Sequence, residues 1–520
     1  MRRVDIFAEI IMVIRENRNH LESVNLKNID DWLKIGAFSA FLSITLGLFS
    51  TVNVADFDLW GYLSFGRLFW HSQKFPYHDV FSYVPTRNLW VNHEWLTGVL
   101  FYPLYQTLGA PGLLVLKYGL GLATIGLIYL TARRRGAHPL AAALFAVIIL
   151  VAARCSYNPV RAQVFTYFFF ALTLYLLERA RLTGRWRGLY FLPLILIPWA
   201  NLHGGFVAGL GLMVIYAGGE FLARRPFLPY LLIFFLSLPV TLINPYGVEY
   251  WAYVARAVTM PRPTITEWAS IIRGYQTGVV NEILIIYLLI LSFVGLWGMW
   301  RSHWREVSAS LALAVTLVLS LWHIRHLTFF VLLAGAYWPV CLQVNVDYWQ
   351  SRPALQRLGS LRPTKISVLA GLAMFTILNL VLFVRSNPLS LKLPEKPGSP
   401  KEMISVFYPV GAVNFILENG LTGKILTVFE WGEYLIWELY PKCLVAYDGR
   451  YETVYPPEVD NKYNEFHFAR PQWRRFLEDY PPDLILLDQR METVKLIQKE
   501  PQWRQVYADS GCVLFVADQK

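Results

Sequence analysis

Asp56 and Asp58 flank Phe57 just beyond the first long apolar stretch, and the same polar segment goes on to supply Asp79, His93 and Glu94. Carboxylates packed beneath aromatic rings bind protons more tightly, so Asp58 or Asp56 can serve as a general base towards a hydroxyl. One acid here would merely mark the end of a span; a cluster favours a site. Cations that could hold an anion recur at similar positions: Arg154 and Arg161 in "RCSYNPVR", His203 in "NLHGGF", and His323, Arg325 and His326 in "LWHIRHL". Each has a plainer role to set against it. An arginine at the end of an apolar run commonly snorkels to water, and a histidine beside two glycines can serve helix packing. Arg325, between two histidines in apolar sequence, is the strongest candidate. Glu267 in "TITEWAS" can reach the same region from a second long loop. Asp56, Asp58, His93 and Glu94 offer oxygen and imidazole ligands for a divalent cation, but they lack a tight ligand spacing, and no cofactor is fixed.

These residues need a membrane body to position them. The chain has 520 residues, 55% hydrophobic and 16% charged, well below the roughly one-quarter charged content of soluble domains. Apolar stretches at 33–53, 111–132, 139–154, 162–178, 189–201, 204–222, 227–243, 281–300, 307–322, 327–345 and 365–385 predict a polytopic α-helical membrane protein of about eleven transmembrane helices. Residues 1–32 form a mixed-charge, amphipathic lead without the pattern of a cleavable signal. Arginines concentrate in alternate short loops (Arg133–Arg135, Arg179–Arg187, Arg224 and Arg225, Arg301 and Arg305, Arg352–Arg362). The positive-inside rule then puts the N-terminus in the cytoplasm of a multi-pass cell-membrane protein and the C-terminus outside. The net charge of +11 thus serves topology rather than nucleic-acid binding.

Within the body at 33–385, the outer loops at 53–110 and 244–281 are long and carry amphipathic aromatic stretches suited to the interface. A Pro-rich hinge spans 386–409. Residues 410–520 alternate helical and strand-like patterns and end in a hairpin turned at Ser510–Gly511, which predicts a small extracytoplasmic α/β domain. It has no glycine-rich phosphate loop. Cys443 and Cys512 both fall in this outer domain, where a bridge is compatible with the compartment. Asp448, Arg450 and Glu452 read as a structural charge group.

The run "DFDLWGYLSFGRLFW…FPYHDVFSYVPTRNLWVNHEWL" resembles the first outer loop of bacterial membrane glycosyltransferases of the GT-C superfamily. The resemblance continues in "YNPVRAQVFTYFFFALTLYLLE", "PWANLHGGFVAG", "INPYG", "TEWAS" and "WGEYLIWELYP…VAYDGRYETVY". It implies a GT-C-like body, a polyprenyl-phosphate sugar donor, and an extracytoplasmic glycan, lipid or protein acceptor. The superfamily's acidic motif maps to Asp56 and Asp58, here Asp-Phe-Asp rather than adjacent Asp-Glu. Tyr62 stands where the closer group commonly has His. On this basis Arg325, His203, Arg161, Arg154, His323 and His326 are expected near the donor phosphate. His93, Glu94, Trp60 and Glu267 are expected near the sugar or acceptor. Competing functions are a transporter or flippase for lipid-linked glycans and an O-antigen-type ligase or polymerase. A transporter would place its ionisable groups near mid-membrane with internal repeats, whereas these gather at outer helix ends.

Overall fold

The computed structural model describes residues 31–48, 53–157, 159–262, 265–302, 305–350, 365–397 and 406–518, excluding the side chains at 149–150, 152–157, 342 and 344–350. Most of the lead and part of the hinge, 398–405, lie outside the described residues. The body contains α1 (Asp31–Leu48), α2 (Phe57–Ser72), α3 (Trp95–Arg134), α4 (Pro139–Tyr157), α5 (Gln163–Thr183), α6 (Phe191–Leu202) and α7 (Phe206–Leu222). It continues through α8 (Leu228–Val240), α9 (Val248–Thr259), α10 (Ile271–Gln276), α11 (Glu282–Arg301), α12 (Val307–Trp322), α13 (Leu327–Gln350) and α14 (Lys365–Arg385).

Every apolar stretch predicted to span overlaps one of these helices, the first as far as Leu48 and the fifth after a 3₁₀ turn at Trp186–Tyr190. Five helices among the described residues are long and apolar enough to cross a membrane. Their outward faces explain why: α11 and α14 leave Ile283, Phe293, Met374 and Ile377 exposed, a surface that suits lipid rather than water. Helices α6 and α8 have only 12 and 13 residues. At about 1.5 Å per residue they fall short of the ~30 Å hydrocarbon core and do not cross it unaided. Helix α3 breaks at Gly109, whose φ of 62° suits glycine, two residues before Pro111. The break separates the aromatic stretch of the first loop from the apolar segment that follows.

The C-terminal unit contains α15 (Val410–Glu418), β1 (Gly423–Thr427), α16 (Gly432–Leu439), β2 (Cys443–Val445), α17 (Pro457–His467) and α18 (Arg474–Asp479). After them come β3 (Leu484–Asp488), α19 (Glu492–Ile497), β4 (Trp503–Ala508) and β5 (Cys512–Ala517). The sheet order is β2-β1-β3-β5-β4, with β2, β1 and β3 parallel and the β4–β5 hairpin antiparallel. Asp509 closes the hairpin turn, its carboxylate accepting the N–H groups of Gly511 and Cys512. Cys443 and Cys512 are free and buried. They lie on strands three positions apart in that order, roughly 14 Å at about 4.8 Å per strand. This corrects the bridge considered from sequence, because a disulfide requires Cα atoms within about 7 Å.

The first outer loop is built into this unit. Ser82 pairs in parallel with Val445, Tyr83 N–H donates to the Val445 carbonyl at 3.1 Å and Val445 N–H to that of Phe81 at 2.9 Å. The loop thereby covers the open edge of β2, which would otherwise present unpaired backbone groups.

Candidate functional site

Asp56 is the N-cap of α2. Its backbone is extended (φ −85°, ψ 149°) and its carboxylate accepts the Asp58 N–H at 3.1 Å, so the acidic pair itself starts the helix. Asp58, in the first turn, is carried beside it. Arg161, in the turn joining α4 to α5, meets both: its Nε lies 3.2 Å from Asp56 Oδ1, and the two Nη groups pair with Asp58 and Glu267. Glu267 sits on a 3₁₀ turn, Thr266–Trp268, in the second long outer loop. Three carboxylates from two loops therefore converge on one guanidinium. Burial disfavours the Arg161 charge, but Asp56, Asp58 and Glu267 outweigh it and hold the group cationic. Burial raises Asp56 to about 7 despite the opposing pull of Arg161. Arg161 lowers Glu267 against its burial. Among the described residues no group of three or more His, Cys, Asp or Glu could hold a metal ion; a guanidinium lies among these acids, and Glu94 and His93 turn elsewhere.

Glu94 belongs to an adjoining cluster. Tyr62, one turn along α2 from Asp58, donates its hydroxyl to Glu94 Oε2 at 2.9 Å, and His203 Nε2 lies 3.3 Å from Oε1. Gly205 N–H points to His203 Nδ1 at 2.8 Å. An N–H can only donate, so Nδ1 carries the lone pair and Nε2 carries the proton facing Glu94. Burial keeps this imidazole neutral by lowering its pKa well below the usual value. Burial also raises Glu94. A Cβ at position 205 would lie 2.5 Å from Thr166 Oγ1 and 2.8 Å from His203 Nδ1, so "HGG" needs its second glycine for space. His93 stacks near Tyr253, with Nδ1 3.2 Å from the phenol oxygen and Nε2 3.7 Å from Glu94.

A third group surrounds Trp268. Arg262 and Arg325 each place the guanidinium carbon 4.4 Å from its ring centroid, close enough for cation–π attraction. Arg262 also pairs with Glu452 of the tail at 2.5 Å; Arg325 has no ion pair among the described residues. His323 Nδ1 lies 2.7 Å from the Trp268 carbonyl, and His326 packs beyond it against the Trp268 and Phe329 rings. Arg154 lies outside the described side chains.

Trp60 differs from its expected role at a ligand. It is 2% exposed and packs against Tyr408, Tyr434 and Trp437. Its period along α2 turns it into the seam with the tail, so it holds the two parts together. Trp90 is likewise buried. The charge group read as structural is a buried clamp: Arg450 pairs with Asp79 of the first loop, chelates Asp448 (Nε–Oδ1 2.8 Å, Nη2–Oδ2 2.7 Å) and reaches Ser82 Oγ at 3.1 Å.

Sequence reasoning missed Glu433. It lies on α16 in "WGEYLIW", is buried, and accepts the Gly61 N–H at 3.0 Å beside Asp58. Its only local signal is an acid on an otherwise apolar helical face.

No protein-family model and no curated protein matches the chain. Solved structures do. The Archaeoglobus fulgidus oligosaccharyltransferase, tethered to an acceptor peptide containing the NVT sequon, is 14% identical, with a TM-score of 0.51, over 94% of this chain and 74% of its own. ArnT from Cupriavidus metallidurans, bound to undecaprenyl phosphate, is 13% identical, with a TM-score of 0.51, over 93% of this chain and 97% of its own. The likeness defines the class: a helical membrane protein with a GT-C-like fold and a C-terminal α/β unit.

Proposed function

We propose that the protein transfers a sugar from a polyprenyl-phosphate donor to an extracytoplasmic acceptor, with Asp58 as general base and Asp56 beside it. The observation that carries this reading is the convergence of Asp56, Asp58 and Glu267 on Arg161, next to Tyr62, Glu94 and His203, at one end of a GT-C-like body. The fold's likeness to a protein bound to undecaprenyl phosphate supports a lipid-linked donor, and nucleotide sugars, being cytoplasmic, would not reach an outward site. In the transfer, the acceptor oxygen bonds to the anomeric carbon as the bond to the lipid phosphate breaks. The phosphate leaves with the bonding pair and the hydroxyl proton passes to Asp58, inverting the anomeric centre. Charge grows on the leaving phosphate, so a cation must meet it. Arg325, stacked on Trp268 and without a carboxylate partner among the described residues, is suited to this. Arg161 is already held by acids, and an arriving phosphate would compete for its Nη groups and loosen its grip on Asp58. The tail, joined to the first loop through Arg450, helps shape the acceptor side.

The test is the isosteric amide. Asp58→Asn keeps shape while removing proton acceptance, and should lower transfer by about 10²–10⁴-fold with donor binding retained. The readout is mass spectrometry of surface glycans from cells carrying either form, with cells lacking the protein as baseline. Wild-type glycans from both single amides and from the Asp56→Asn, Asp58→Asn pair would sink the catalytic assignment.

A further inference from the structure

Glu433 is the buried acid that the proposed chemistry leaves unused. It comes from α16 of the tail, yet its carboxyl lies against α2 of the body, accepting the Gly61 N–H at 3.0 Å. Two glycines make its space. A Cβ at Gly61 would collide with the Glu433 carboxyl. A Cβ at Gly449 would lie 2.9 Å from Glu433 Oε1 and 3.6 Å from Asp58 Oδ1, so the two carboxyl groups face one small gap that only hydrogen fills. The other groups around Glu433 are Asp448 and Arg450 in the turn after β2, and the Tyr408 phenol before α15. Arg450 is committed to Asp448 and Asp79, and Arg161 pairs with Oδ2 of Asp58, the oxygen other than the one nearest Gly449. No cation among the described residues pairs with Glu433 itself.

Two buried carboxylates facing the same small gap, with no cation between them, disfavour each other's charge. We propose that Glu433 and Asp58 form a carboxylic acid–carboxylate pair holding one proton, with Glu433 as the protonated member, so that the tail contributes a positioning residue to the membrane-body site. Anchored through Oε2 on Gly61, Glu433 presents Oε1 towards Asp58 and keeps the pair singly charged. Burial, together with the charges of Asp58 and Asp448, pushes its pKa well above the usual carboxyl range, in agreement with that geometry. The positioning role rests on Asp58 being the base; the shared proton does not.

Infrared spectra of the full-length protein, labelled with 13C-glutamate and titrated in lipid nanodiscs, test it. A protonated glutamate carbonyl band should persist well above the ordinary glutamate midpoint of about 4.3, and lose one glutamate's share of its intensity in Glu433→Gln. Asp58→Asn should move the band's midpoint down by about one pH unit or more, because it removes the neighbouring charge. Glu94 also feels Asp58, so this comparison is made in a Glu94→Gln background. The Asp58→Asn shift carries the test even if Glu433→Gln fails to fold. A midpoint unmoved by Asp58→Asn, or a band unchanged in Glu433→Gln, overturns the proposal and leaves the transferase reading intact. Conversely, full transfer by Asp58→Asn together with a shifted band would overturn the base assignment and keep the proton pair. Where transfer is measured, Glu433→Gln should displace its pH profile while donor affinity stays unchanged, which a purely structural residue would not do.

Discussion

At the scale of single residues, charge balance decides which side chains are free to act. Arg161 is saturated by Asp56, Asp58 and Glu267, whereas Arg325 stacks on Trp268 and has no ion pair among the described residues. Lysine would keep the Arg325 charge but lose both the planar stack and the two-pronged grip on phosphate oxygens. Arg325→Lys should therefore weaken polyprenyl-phosphate binding by roughly tenfold with expression unchanged; equal affinity in a binding titration of the purified proteins would reduce Arg325 to an anchor. Asp56 makes a second prediction, because burial lifts it from 3.8 to about 7. Between those values the folded chain holds a proton on Asp56 that the unfolded chain has released, so the Asp56 contribution to stability falls as pH rises. Melting temperatures of the wild type should drop across that window, and Asp56→Asn should flatten the drop. Parallel curves for the two proteins would show that Asp56 does not carry the shift.

At the scale of elements, the site depends on how the first loop is held. The segment around Phe81–Tyr83 extends the tail sheet beside β2, and Arg450 locks it through Asp79, Asp448 and Ser82. Both acids are buried, so removing the cation would strand their charges at a cost of about 3–5 kcal/mol. Arg450→Ala should lose that much in denaturant or thermal unfolding, and adding Asp79→Ala should give some of it back, because the stranded charge goes too. Strict additivity of the two substitutions would mean that the clamp is not an energetic unit. The same elements were visible from sequence to different degrees. The long apolar helices, the β4–β5 hairpin and the break before Pro111 follow from hydrophobic period and from glycine and proline chemistry. The shortness of α6 shows in its sequence, where the apolar run stops at His203-Gly204-Gly205; that of α8 does not, because Leu242 and Ile243 carry apolar composition past its last turn.

At the scale of the whole molecule, the apolar, outward faces of α11 and α14 require lipid around the bundle, and the first loop, the second loop and the tail meet at one end of it. The uneven arginines favour the cytoplasm for the opposite end, where Arg135 and Arg181 converge on buried Glu178. A reporter fused at Lys520 should then be active only as an extracytoplasmic enzyme. A cytoplasmic signal would turn the acids away from any lipid-linked donor on the outer face.

The sequence by itself determined a helical membrane protein with an α/β tail, and it marked Asp56, Asp58, Glu94, His203 and Arg325, because span length, period-two alternation and acids at a span's mouth are local patterns. Tertiary structure alone decided what those residues touch. Asp58 and Arg161 are 103 residues apart, and Gly61 and Glu433 are 372 apart. Which guanidinium is spent on which acid, why Trp60 packs a seam instead of facing a ligand, and why Cys443 and Cys512 stay apart all depend on which distant elements pack together. Each acid's charge depends in turn on the water that such packing excludes, a property no local stretch of sequence carries.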